Sequence, residues 1–245
     1  MSQVTNLAYF YETSRKVRGG RAVWVKDSNG ENRKNVLLGG TILNPNKGFG
    51  HLWAAQLVQY TPGEGCLIFR SFKVQAATTA ATDTDIYIEG DGYSDAPEVG
   101  MIVMKAPDEL FVETLEADTT SGDVTKTVAE YTGQSAKITA VVFDEANKKF
   151  KITLDNALGA LTTDDILVEA TGTAKAADAK VLVPNPNTFI EADRDLLPTE
   201  GYGFENANYS ISTVHDKEAW IARMQPLPKY VLAMNRSYIK GIFWI

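Results

Sequence analysis

Apolar and polar residues alternate along this chain in short runs, and turn signals interrupt the runs before they reach helical length. Lys148-Lys149-Phe150-Lys151-Ile152-Thr153-Leu154 is the clearest case. A period of two places Phe150, Ile152 and Leu154 on one face of a strand. Ala22-Val23-Trp24-Val25-Lys26 runs into Asp27-Ser28-Asn29-Gly30, the composition of a strand entering a hairpin. Leu57–Tyr60 and Cys66–Val74 flank Thr61-Pro62-Gly63-Glu64-Gly65 as a second hairpin. Three stretches have the spacing of a short helix: residues 52–57, Lys126–Tyr131 and Asp216–Met224, the last with Ala219, Trp220 and Arg223 on one face. The pattern predicts an all-β fold: a β-sandwich or barrel-like base formed from both ends of the chain, with an inserted small β domain. Residues 1–75 together with 181–245 are expected to make the base, and residues 76–180 the insertion. The Thr/Ala-rich stretches Ala76–Thr84 and Thr171–Lys180 read as exposed connectors at the edges of that insertion.

The middle carries a faint internal repeat. At an offset of 64 residues, Ile86, Ile88, Ile102 and Met104 fall on Phe150, Ile152, Ile166 and Val168. Each copy reads as a strand, a polar turn region and a second short strand. Two units are too few for a solenoid, but both halves of the middle look like small β units.

Charge and aromatics are segregated along the same lines. Residues 1–75 hold ten Lys/Arg against four Asp/Glu, residues 76–200 nine against twenty-four, and residues 201–245 five against three. Aromatics number nine, seven and eight in those segments. Aromatic, Arg-bearing surfaces favour contact, whereas an acidic surface favours solvation. The ends are therefore candidates for gripping a partner. Tyr9, Phe10, Tyr11, Arg15, Arg18 and Arg21 are the candidates near one end; Trp220, Tyr238, Phe243 and Trp244 are those near the other. Ile242-Phe243-Trp244-Ile245 would forgo several kcal/mol in water, at about 25 cal/mol per Å². A core strand or a partner surface would cover it.

Catalytic and ligand-binding patterns are weak. Cys66 stands alone in the apolar run Cys66-Leu67-Ile68-Phe69, which reads as a buried thiol and allows no disulfide framework. His51 and His215 are too far apart in sequence to form a metal-ligand pattern. Asp83, Asp85, Glu89, Asp91, Asp95 and Glu98 supply enough oxygens for calcium but lack EF-hand spacing. Asp85, Glu89 and Asp91 also alternate outward as a solvated strand face would. Gly39-Gly40, Gly48-Phe49-Gly50 and Gly201-Tyr202-Gly203 read as turns, without the spacing of a phosphate cradle. No catalytic residue, metal or cofactor is expected. The overall acidity argues against nucleic acid as a partner, and no run approaches the ~20 apolar residues of a membrane span. The N-terminal residues lack the basic-then-apolar order of a secretion signal.

One series of residues carries a family resemblance. Phe72-Lys73-Val74 leads into Asp85-Ile86-Tyr87-Ile88-Glu89-Gly90-Asp91-Gly92-Tyr93. Val99-Gly100-Met101-Ile102-Val103 follows, then the stretch from Leu158 to Ala170, then Pro184-Asn185. This order resembles the head-fibre and auxiliary capsid proteins of crAss-like, Bacteroidetes-infecting tailed phages, over roughly residues 55–190. Met101 stands where that family usually has an acidic residue, and the two ends of the chain fit less well. The resemblance implies a non-enzymatic, multimeric structural or decoration protein on the outer surface of the virion capsid. The expected partners are then the major capsid protein and further copies of this chain, a trimer being the favoured order. The base would face the capsid and the acidic insertion would face outward. The alternative is a carbohydrate-binding adhesive module of a phage or bacterial surface. There Tyr87 and Tyr93 would stack on a host surface glycan.

Overall fold

The computed structural model describes residues 36–44, 50–61, 63–90, 95–117, 124–190, 194–196, 208–214 and 224–235. Their fold is all-β, as the alternation predicts, with antiparallel ladders between the named strands and one parallel bridge beside them.

Five strands form the first sheet: β1 (Val36–Thr41), β3 (Leu57–Thr61), β4 (Gly65–Ile68), β13 (Thr188–Ile190) and β15 (Asn208–Val214), in the order β1-β15-β13-β3-β4. A parallel bridge between Ile42 and Cys66 joins its two end strands. The Leu43 N–H donates to the Cys66 carbonyl at 2.9 Å beside it. The sheet thereby closes on itself. A ring of five strands cannot alternate direction all the way round, so one neighbouring pair must run parallel, and this bridge is that pair. Leu52, Val58, Cys66, Ile68 and Ile190 form the small core associated with this sheet. A short pair, β2 (Gly50–Leu52) with β14 (Arg194–Leu196), is hydrogen-bonded into neither larger sheet but contributes Leu52 to that core.

Six strands form the second sheet: β5 (Ser71–Lys73), β6 (Asp85–Glu89), β7 (Ile102–Lys105), β10 (Ser135–Asp144), β11 (Lys149–Leu154) and β12 (Ile166–Glu169). Their order is β5-β12-β7-β10-β11-β6. Val74 bridges antiparallel to Ile88 and closes this ring too. Six is an even number, so this closing pair can alternate like the rest. The predicted face of β11 is observed, with Phe150, Ile152 and Leu154 buried and Lys149, Lys151 and Thr153 partly exposed. Phe72, Val74, Ile86, Ile88, Met101, Val103 and their neighbours fill the same core. Each fully buried side chain of this kind contributes about 1.5–3 kcal/mol. Closure shortens the open strand edges, and among the described residues the longest left on the six-stranded ring is β10 beyond Lys137, which pairs with β11 alone.

The repeat in the sequence is realised as an approximate two-fold inside the six-stranded ring. Offsetting by 64 residues carries β5, β6 and β7 onto β10, β11 and β12. The pairs Ser71↔Val168, Phe72↔Leu167 and Lys73↔Ile166 become Ser135↔Met104, Ala136↔Val103 and Lys137↔Ile102. Ala106 N–H donates to the Ile166 carbonyl at 2.8 Å, and Ala170 N–H to the Ile102 carbonyl at 2.9 Å. Val74 N–H donates to the Asp165 carbonyl at 3.0 Å and Ile138 N–H to the Met101 carbonyl at 2.8 Å. The axis passes between β7 and β12, where Met104 meets Val168, and between β6 and β11. The two units interlock, because β12 of the second lies between β5 and β7 of the first. A register shift between Ile138 and Ala140 in the β10–β11 ladder marks a departure from the symmetry.

A third core joins the rings. It unites Leu57, Phe69 and Phe189 with Met104, Val168, Val181, Val183, Tyr230 and Val231. Tyr230 and Val231 come from the helix α1 (Lys229–Asn235), which follows Pro226-Leu227-Pro228 and is not among the three helices the spacing predicts. Two of the predicted helices are corrected. Residues 52–57 hold the end of β2, a turn and the start of β3. Ala55 there adopts φ 63°, which ends any helical path. Lys126–Tyr131 is mostly strand: β9 (Val124–Glu130) pairs with β8 (Phe111–Ala117). Residues 216–223 of the third helix, and the first hairpin at 22–30, lie outside the described residues.

Candidate interaction surface

The β8–β9 hairpin is inserted between the two repeated units and stands outside both rings. Its strands pair with each other, and among the described residues neither pairs with a third strand. A two-stranded ribbon alone is marginally stable in water. This one is tied down at its base. Leu110 is buried in the joining core, and its carbonyl accepts from Tyr131 N–H at 2.8 Å. Lys180 Nζ reaches Glu130 Oε2 at 2.6 Å, and Gly133 bridges Ala179.

Strand alternation divides the ribbon into two faces. Phe111, Glu113 and Leu115 share one with Lys126, Val128 and Glu130. On it Phe111 is 52% exposed, Leu115 69% and Val128 54%. Lys126 Nζ meets Glu113 Oε1 at 2.7 Å across the same face. The other face presents Val112, Thr114, Thr127 and Ala129, with Val112 also exposed. Four of the seven exposed large apolar side chains among the described residues therefore sit on this one hairpin. Large apolar side chains concentrated on a projecting element mark a contact surface.

The anchoring residues expected from sequence, Tyr9, Phe10, Tyr11, Arg15, Arg18, Arg21, Trp220, Tyr238, Phe243 and Trp244, all lie outside the described residues. Sequence reasoning missed the hairpin. Its signal was present in the alternation Phe111-x-Glu113-x-Leu115 and Val124-x-Lys126-x-Val128-x-Glu130.

The fold disperses the acidic cluster among the described residues, Asp91 lying outside them. Asp83 Oδ2 accepts from the backbone N–H groups of Thr79 and Ala80 at 2.7 and 2.8 Å, fixing a turn. Asp85 binds Lys151 Nζ and Thr153 Oγ1, both at 2.7 Å, and these hydrogen bonds hold its carboxyl below the usual carboxylate value. Glu89 faces Lys73 at 3.7 Å. Asp95 and Glu98 go inward to Arg70, whose side chain is fully buried. Arg70 Nε lies 3.2 Å from Asp95 and Nη2 lies 3.1 Å from Glu98, while Nη2 also donates to the Ala96 carbonyl at 3.0 Å. Gln56 Nε2 donates to Asp95 at 2.8 Å, and Gln225 Nε2 to the Phe69 carbonyl at 3.0 Å. Asn44 Nδ2 donates to Glu169 and to the Ile68 carbonyl, both at 2.8 Å. This buried polar clasp surrounds the crossing from β4 into β5, where one ring hands the chain to the other. Its role is structural: a buried charge is tolerated only when paired and hydrogen-bonded.

The remaining chemistry is subdued. Burial pushes the Cys66 thiol up to about 11, so it stays protonated at neutral pH and is a poor nucleophile. Among the described residues no group of three or more His, Cys, Asp or Glu gathers to hold a metal. Lys149 Nζ sits 4.4 Å over the Tyr87 ring, on a face that a stacked sugar would need. Tyr93 lies outside the described residues. None of the helices among the described residues is long and apolar enough to cross a membrane. Comparison with protein-family models, curated proteins and solved structures finds no match to the chain.

Proposed function

We propose that this chain is a structural virion protein that attaches to the outer surface of a tailed-phage capsid as a head-fibre or auxiliary protein. It acts by binding, with the major capsid protein and further copies of itself as partners. The observation that carries the reading is the projecting β8–β9 ribbon, which holds Phe111, Leu115 and Val128 in solvent. An apolar ribbon on two closed rings suits a protein that is rigid in itself and sticky at one element. The head-fibre resemblance over residues 55–190 supplies the kind of body to which it attaches. The test is the copy number of the chain in purified virions, by quantitative mass spectrometry. A fixed number of copies per particle, retained through a high-salt wash, is expected. Absence from the particle overturns the proposal.

A further inference from the structure

We propose that the outer edge of β9 is a homodimer contact: residues 126–130 of two copies pair antiparallel, with Val128 opposite its own mate. Lys126 then lies opposite Glu130 of the other copy, and Glu130 opposite the other Lys126. The inference rests on reading the ribbon as a contact surface, and is independent of which shell the protein joins.

The backbone permits this register. The bond from Tyr131 N–H to the Leu110 carbonyl fixes the phase of the β8–β9 ladder. Hydrogen-bonded pairs recur every second residue in an antiparallel ladder, so Thr127 and Ala129 exchange bonds with β8. The N–H and C=O groups of Lys126, Val128 and Glu130 therefore point away from it. In the proposed register those three residues form hydrogen-bonded pairs with their counterparts, and no strand has to shift.

Charge selects this edge. Every copy is acidic overall, with a net charge of −7, so two copies repel at long range and need opposite charges where they touch. The β9 register supplies two Lys–Glu pairs flanking a Val–Val contact, the arrangement favoured for cross-strand neighbours. Pairing β8 with its own copy instead sets Glu113 opposite or diagonal to its mate whenever the middle of the strand is used. Lys126 and Glu130 already have partners in Glu113 and Lys180. The first pair is exposed and the second partly so, and both exchange at little cost. Pairing an edge with its own copy also closes after two subunits, whereas pairing β8 with β9 propagates without end. A five-residue ladder is about 17 Å long, short for a standard interface. The dimer is therefore weak when dilute and dominant where copies are held close together.

Sedimentation velocity of the full chain, from micromolar to millimolar concentration, tests the proposal. A reversible monomer–dimer equilibrium is expected. Lys126→Glu or Glu130→Lys alone should each raise its dissociation constant at least about tenfold. The double exchange, Lys126→Glu with Glu130→Lys, should return it to within about threefold of the parent. Within one chain the double exchange still leaves position 126 repelled by Glu113 and position 130 repelled by Lys180. Recovery can therefore come only from pairing between copies. Val128→Pro removes an outward N–H without touching the β8 ladder and should abolish the dimer while circular dichroism is unchanged. A monomer throughout, an open-ended polymer, or a dimer indifferent to all four variants would overturn it. Capsid incorporation of the same variants is measured separately. Loss of dimer with virion binding intact leaves the structural role standing. An intact dimer that never joins a particle sinks the structural role alone.

Discussion

The six-stranded ring and the β8–β9 ribbon are built from the same material and have opposite fates. Both are antiparallel strands of alternating residues with cross-strand Lys–carboxylate pairs, Lys151 with Asp85 in the ring and Lys126 with Glu113 in the ribbon. In the ring, closure gives each strand an inside, and Ile86, Ile88, Ile152 and Leu167 all vanish into it. In the ribbon there is no inside, so Leu115 and Val128 stay in water although their sequence context looks similar. What buries an apolar side chain here is ring closure, far more than the composition of its own strand.

That contrast can be broken or sharpened by substitution. The largest effect is expected at the junction. Arg70→Ala removes the cation from between Asp95 and Glu98 and should cost about 3–5 kcal/mol, because two buried carboxylates lose their partner. Urea denaturation measures it; a loss below 1 kcal/mol would show that the clasp adds little to the core that joins the rings. Next comes a matched pair. Ile152→Ala, at a site with no exposure, should cost about 2–5 kcal/mol. Leu115→Ala on the ribbon should stay within about 0.5 kcal/mol. Equal losses in the two melts would refute the contrast.

Gly90→Ala is expected to fall between them. A Cβ there would come within 2.8 Å of Phe143 Cε2 and 3.1 Å of the Phe150 ring. Those two rings pack against each other with centroids 4.7 Å apart, so they have little room to yield. A loss of about 1–3 kcal/mol is expected, and Gly90→Ala as stable as the parent would show that the aromatic pair can swing aside.

The smallest effect concerns pH. Burial alone would raise the Asp165 carboxyl, but hydrogen bonds from Thr162 and Lys105 outweigh it and hold the group below the usual carboxylate value. A depressed folded pKa adds stability above the unfolded value, about 3.9, and that stability is lost as pH falls through the folded value. Asp165→Asn should therefore lower stability at pH 7 and flatten its decline towards acid. A parallel decline in both proteins would exclude Asp165 as a contributor.

The fold class was legible because period-two alternation is a local property, as Phe150, Ile152 and Leu154 illustrate. The 64-residue offset was legible for the same reason. That the two units interlock was not, since antiparallel pairing over such separations leaves no mark within either strand. The spacing of Lys126–Tyr131 also allows a helix. The β-branched residues Thr125, Thr127 and Val128, and pairing with Phe111–Ala117, decide for strand. The helix Lys229–Asn235 had a signal in Pro228, whose carbonyl accepts from Val231 N–H at 3.0 Å and Leu232 N–H at 3.1 Å. The burial of Arg70 left no mark in the sequence, because a buried charge is recognisable only once its distant carboxylates are brought to it.

The interlocking also governs how the molecule can be made. The strand at Ser71–Lys73 has as its ladder partner Ile166–Glu169, so the first unit leaves the ribosome with its apolar face unmatched. At about 5–20 residues per second, that face waits roughly 5–20 s for the second unit to emerge. During that interval it is the nascent chain, more than the finished protein, that needs shelter from its neighbours on the same message.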